Sequence, residues 1–187
     1  MKKITLLILL LIAGICSYSQ GQIFKTYEEY LNKTGEAYDE ESVRTSESSF
    51  GFMKIILKKA DGNTVRYRPN DIWGFTFKGE LFRTTGRQFA MLRDTGKVCF
   101  YVSGLGAIDA FLSTNGWGTH MLSSSDCFLS VGDINAKLYG LPSENKFKKD
   151  LPALKKEHPE LQSIIDCAKG EPPGRVRGCV LAYNQSH

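Results

Sequence analysis

Apolar positions along this chain recur at helical spacing near both ends and alternate one-by-one through the middle. In TYEEYLNKTG, residues 26–35, Thr26 and Glu29 make a capping box, Tyr27, Tyr30 and Leu31 share a face, and Gly35 supplies a stop. A short helix over 27–34 follows. The polar stretch 36–49 reads as a loop. From Phe50 the period is two. Met53, Ile55 and Leu57 oppose Lys54, Ile56 and Lys58, ADGN at 60–63 is a turn, and TVRYR resumes the alternation up to Pro69. IWGFTF and ELFRTT flank Lys78-Gly79, a two-residue turn that sets Phe77 opposite Glu80, Phe75 opposite Phe82 and Trp73 opposite Thr84. All four large aromatics then share one face. Phe89 to Val102 forms another hairpin around DTGK, and CFLSV at 127–131 a last strand.

The helical period returns after Asp150, which is placed to cap a helix LPALKKEH. A second segment starts at Pro159, where Leu161, Ile164, Ile165 and Ala168 form a stripe that Gly170 ends. The pattern predicts an α+β domain. Its core is a curved antiparallel β-meander sheet of about six to seven strands, with a short N-terminal helix and C-terminal helices packed on one face. The stripe 161–168 is the expected cover of the aromatic face. Four exposed aromatics would each forgo on the order of 2–3 kcal/mol of burial, so packing is the expected use of that face, ahead of a platform for sugars, bases or peptides. The organisation reads as a leader over 1–19, one domain over 20–170 and a C-terminal tail over 171–187.

The leader changes where the protein is expected to work. Lys2 and Lys3 precede an apolar run from Ile4 to Ile15, and SYS at 17–19 places small residues before Gln20. This is a signal peptide, and its run is short for a membrane span. Ile15 occupies the place where a lipidated Cys16 would want a small residue. The expected destination is periplasmic or secreted, with no stable membrane span after processing. The leader carries two of the 24 basic residues and none of the 20 acidic ones, so the remaining 168 residues balance 22 against 20. That near-neutrality supplies no electrostatic case for nucleic acid. Four cysteines follow the leader. Cys167 and Cys179 flank KGEPPGRVRG and are the expected disulfide, which leaves Cys99 with Cys127 for a second.

Candidate chemistry is sparse. The three histidines are His120, His158 and His187, and the chain has no H-E-x-x-H, C-x-x-C, G-x-S-x-G, Walker loop or G-x-G-x-x-G. No catalytic, cofactor-binding or metal-ligating residue is assigned, and no cofactor is expected. His120 beside Cys99 or Cys127 would be the ingredients of a thiol nucleophile, but a disulfide is the ordinary use of cysteines in an exported chain. Asp109, Asp126 and Asp133 sit in turn-like contexts. In the irregular segment STNGWGTH, Trp117 is flanked by glycines, and Trp117 and His120 are the candidate partner contacts.

The leader ending in SYSQ, the Tyr-rich helix, the DIWGF hairpin and the helix KKEHPEL…IIDC together resemble small exported proteins of unknown function common in Bacteroidota. The resemblance implies export across the inner membrane and transfers no catalytic residue. The expected function is a non-enzymatic exported protein with a binding or structural role in the envelope or outside the cell, its partner a protein or a glycan. The rival is a small secreted hydrolase with a Cys–His or carboxylate site.

Overall fold

A computed structural model of the chain describes residues 20–47, 53–59, 61–86, 88–103, 126–141, 150–169, 171 and 173–187. The leader, the region around 107–112, Trp117 and His120 lie outside them. The described elements are β1 (Gly21–Phe24), α1 (Tyr27–Asn32), β2 (Glu36–Tyr38), β3 (Arg44–Glu47), β4 (Met53–Lys58), β5 (Thr64–Tyr67), β6 (Gly74–Phe77), β7 (Glu80–Thr84), β8 (Phe89–Asp94), β9 (Val98–Ser103), β10 (Asp126–Val131), β11 (Tyr139–Leu141), α2 (Asp150–Glu157), α3 (Gln162–Ala168) and α4 (Pro173–Ser186). The architecture is α+β. An antiparallel sheet of eight strands runs in the order β11-β10-β9-β8-β7-β6-β1-β2, beside a three-stranded sheet β3-β4-β5.

The large sheet is an uninterrupted meander from β6 to β11, extended by β1 and β2. The Lys78-Gly79 turn sets its register: both residues take positive φ (48° and 80°), and Phe75 pairs with Phe82 and Phe77 with Glu80. From that pair one row of inward side chains can be followed across the sheet: Ile23, Phe75, Phe82, Met91, Val102, Cys127 and Leu141.

Two different layers cover this inner face. Over its aromatic half lies the small sheet, so that Phe75, Phe77, Phe82, Phe89 and Met91 pack with Ile55, Leu57 and Tyr67. Over its aliphatic half lie the helices. Leu154, Leu161, Ile164, Ile165, Ala168, Val176, Val180 and Tyr183 close on Val98, Phe100, Val102, Leu129 and Leu141. The helical stripe 161–168 is therefore buried as its period predicts, but against the far end of the sheet and not against the aromatic face. The hairpin β4–β5 leaves the meander to form that second cover with β3, a strand within the stretch read as loop. A bridge between Tyr38 and Lys59 joins the two sheets at one corner.

The expected tail over 171–187 is instead a 14-residue helix, α4. Val176, Val180 and Tyr183 are buried, and the Asn184 amide both accepts from Val98 N (3.0 Å) and donates to Val98 O (2.8 Å). Arg177 forks onto Asp94 through Nε and Nη2, at 2.7 and 2.9 Å. A register shift between Leu92 and Asp94 makes this pair possible, because it places Asp94 opposite inward-facing Phe100. Cys167 and Cys179 are bonded and tie α3 to α4. Asp150 lies within α2, where its carboxylate accepts from Gly140 N at 3.2 Å and fixes β11 to the helix.

The second expected disulfide does not form. Cys99 and Cys127 are both free and buried. Cys99 pairs with Ser130, three residues from Cys127, so the two thiols point to opposite faces of the sheet. Among the described residues no helix is long and apolar enough to cross a membrane. The leader-free protein, denatured without reductant, is expected to titrate two free thiols and, after reduction, four. Four before reduction would contradict the Cys167–Cys179 bond.

Candidate functional site

On the outer face of the sheet, a second row runs beside the inner one: Phe24, Gly74, Arg83, Ala90, Ser103 and Asp126. Arg83 thus stands between a glycine and an alanine, in a trough with almost no side chain on either neighbouring strand. It is only 7% exposed, and Ser103 only 1%. The β10–β11 loop folds over the trough. Arg83 Nη1 donates to Ala136 O at 3.0 Å and also to Ile134 O. The guanidinium carbon lies 5.4 Å from the Trp73 ring centre and 5.9 Å from that of Tyr101.

Trp73 reaches this face because the alternation breaks at Gly74. There the backbone of β6 runs so close to β7 that a Cβ would come within 2.4 Å of Phe82 O. The shift separates Trp73 from Phe75, which is buried on the inner face. The expectation that all four aromatics share a face therefore holds for Phe75, Phe77 and Phe82 and fails for Trp73. The Trp73 ring packs between Arg83 and the tyrosines of α1, 5.2 Å from Tyr27 and 5.1 Å from Tyr30. The ring is half-buried there. Thr26 caps α1 by accepting from Glu29 N at 3.2 Å, and Lys33, in the left-handed region, ends it.

A chain of hydrogen bonds holds the loop. Trp73 Nε1 donates to Asn135 Oδ1 (2.8 Å), Asn135 N to Asp133 Oδ1 (2.6 Å), and the Tyr27 hydroxyl to the same carboxylate (3.2 Å). Ser130 Oγ donates to Asp133 O (2.8 Å) and lies 3.2 Å from the Tyr101 hydroxyl, which also reaches Ile134 O (3.1 Å). Burial raises the Tyr101 pKa, while Ser130 and Arg83 pull the other way. Desolvation and then Asp133 raise that of Tyr27. Both phenols stay neutral at physiological pH and act as donors. Asp133, read as a turn residue, does make the turn and also anchors α1.

Among the described residues, two buried side-chain polar atoms lack a hydrogen-bond partner, Arg83 Nε and Ser103 Oγ. Among the described residues no carboxylate forms an ion pair with Arg83. A buried cation costs several kcal/mol unless paired, and cation–π contacts return about 0.5–2 kcal/mol. Two carbonyls and two aromatic faces meet the guanidinium, and among the described residues its Nε is left as an unused donor.

The thiol chemistry considered from sequence is disfavoured at Cys127. Burial, with Asp126 adding to it, pushes this thiol up to about 12, far from a reactive thiolate. Cys99 is sealed on the opposite face. His158 contacts Glu160 and the edge of Tyr139, and His187 stacks on Tyr183; among the described residues neither bonds a thiol. Among the described residues no group of three His, Cys, Asp or Glu is placed to hold a metal. No family model matches this chain, nor does any curated protein or any solved structure.

Replacing Arg83 with Met keeps the packing against Trp73 and Tyr101 and removes the unpaired charge. Its stability is expected to change by less than about 1.5 kcal/mol in denaturant unfolding. A loss of about 3 kcal/mol or more would make Arg83 a structural clamp. Gly74→Ala meets backbone and is expected to cost about 2 kcal/mol or more in the same measurement.

Proposed function

We propose that this chain is an exported, non-enzymatic protein of the kind the small Bacteroidota proteins represent. Residues 1–19 direct it out of the cytoplasm and are removed, and the mature domain binds a partner in the periplasm or outside the cell. The partner is a protein segment or a glycan that presents a carboxylate, which meets Arg83 Nε when the β10–β11 loop lifts from the trough. One observation carries this reading: a guanidinium buried in a rigid sheet that, among the described residues, has Nε unpaired and forms no ion pair. A purely structural arginine buried this deeply is ordinarily paired, since leaving it unpaired weakens the fold. Arginine is also the side chain whose planar fork suits a two-oxygen acceptor.

Two further features support the reading. The Cys167–Cys179 bond suits an oxidising compartment. The site rests on strands β6 to β10, whose geometry is fixed by a closed core, and such preorganisation limits the ordering cost of binding. Asp133 at the loop and Asp126 at the end of the row disfavour a dianion, so a single carboxylate is the matching group.

The test has two arms. Fractionation of the native host is expected to find the protein outside the cytoplasm, with Gln20 as its first residue. Wild-type protein is then screened against acidic glycans and acidic peptides, with their neutral amidated forms as controls. Binding is expected to need the carboxylate and to fall at least tenfold in Arg83→Met. A cytoplasmic, unprocessed chain would overturn export, and equal binding by Arg83→Met would overturn the site.

A further inference from the structure

A second feature lies on the opposite side of the molecule, where β11, α2 and α3 leave a cavity of about 240 Å³. Its wall is apolar: Leu141 comes from β11, Leu151 from α2, and Ile165 with Ala168 from α3. Its mouth is charged, with Lys155, Lys169 and Asp166. The two helices build it in the same way. Leu151 and Lys155 are one turn apart on α2, and Ile165 and Lys169 are one turn apart at the end of α3. Each helix therefore supplies an aliphatic side chain to the cavity and an ammonium to its rim. Asp166 is engaged by Gln162 Nε2 at 2.7 Å. Neither lysine makes an ion pair with a described residue.

We propose that this cavity is a binding site for an aliphatic monocarboxylate. The alkyl tail enters between α2 and α3, and the carboxylate stays at the mouth between Lys155 and Lys169. Size and charge both favour this occupant. An apolar cavity of about 150 Å³ already holds benzene, so this one accommodates a tail of roughly eight carbons. Two lysines against one acid leave the mouth positive, which selects an anion over an alcohol or an amine. Ala168 is 3% exposed and is the smallest residue of the wall, so a larger side chain there would occupy the tail's space. The Cys167–Cys179 bond, between the two α3 wall positions and α4, holds that wall in place. The site is separate from Arg83, and neither proposal needs the other.

Titration calorimetry of the leader-free, oxidised protein with butanoate, hexanoate and octanoate tests it. Affinity is expected to rise about fourfold per methylene, the factor for burying each in an apolar site. Octylamine and octanol are expected to bind at least tenfold more weakly than octanoate. Ala168→Leu is expected to weaken octanoate at least tenfold while raising the melting temperature. The exposed pair Lys155→Glu with Lys169→Glu, which folds whether or not the Ala168 variant does, is expected to reverse the preference, so that octylamine binds more tightly than octanoate. Arg83→Met is expected to leave octanoate binding unchanged. Affinity independent of chain length would overturn the proposal, as would full binding by both cavity variants. Loss of octanoate in Arg83→Met would overturn it too, moving the carboxylate to Arg83 and leaving the proposed function standing. Dimerisation suppressed by Ala168→Leu would identify the occupant as a second copy.

Discussion

One row of inward side chains, from Ile23 through Phe75, Phe82, Met91, Val102 and Cys127 to Leu141, holds this molecule together. Side chains in a strand alternate, so the register that puts these residues on one face fixes every outward position as well. The row is aromatic at one end and aliphatic at the other. A single cover would fit only one end well. Flat rings pack under a second sheet, where Ile55 and Leu57 lie against Phe75 and Phe82, and branched aliphatic residues pack under helices. The cover is divided to match, with β3–β5 over the aromatic half and α2–α4 over the aliphatic half.

Each cover is fastened by a few specific contacts because hydrophobic burial gives no direction. At the helical end, α4 stands where β8 has already ended beside β9. Asn184 there supplies Val98 with the donor and acceptor that a neighbouring strand would have given. The bulge in β8 turns Asp94 inward to meet Arg177. The disulfide joins α4 to α3, and the Asp150 carboxylate ties α2 to β11. At the other end, Tyr38 donates to Thr76 O at 2.7 Å from the edge strand, and Glu36 meets both Lys59 and Tyr67.

Much of this was legible in the sequence, and the failures have physical causes. The Lys78-Gly79 turn could be read with its register because positive φ and alternation on both sides point to one pairing. The stripe at Leu161, Ile164, Ile165 and Ala168 was visible for a similar reason. α4 was missed although Val176, Cys179, Val180 and Tyr183 keep helical spacing. Two prolines and two glycines nearby argued for a tail, and packing against β9 outweighed them. β1, β2 and β3 are three or four residues long, too short to show a period. Which layer would cover which half of the sheet depends on contacts far apart in sequence, and no local pattern encodes them. The displacement of Trp73 has a local cause at Gly74, but it shows only once β6 and β7 are paired. Of the candidate contacts, Trp117 and His120 lie outside the described residues, and no motif marks Arg83 in the sequence.

Arg83 also bears on why a protein would keep a costly group in its best-ordered region. The trough is deep because Gly74 and Ala90 are small, and each smallness has a price in packing that a larger residue at position 90 would recover. Met or Leu at position 83 would fill the space between Trp73 and Tyr101 without burying a charge. The sheet is thus assembled around a cation that backbone carbonyls and aromatic faces hold, with no ion pair among the described residues. Its cation–π contacts and two carbonyl acceptors hold the guanidinium in one orientation and leave Nε buried and unpaired. Its lack of an ion pair among the described residues separates it from Arg177. That residue has its carboxylate partner in Asp94 and is explained by packing alone.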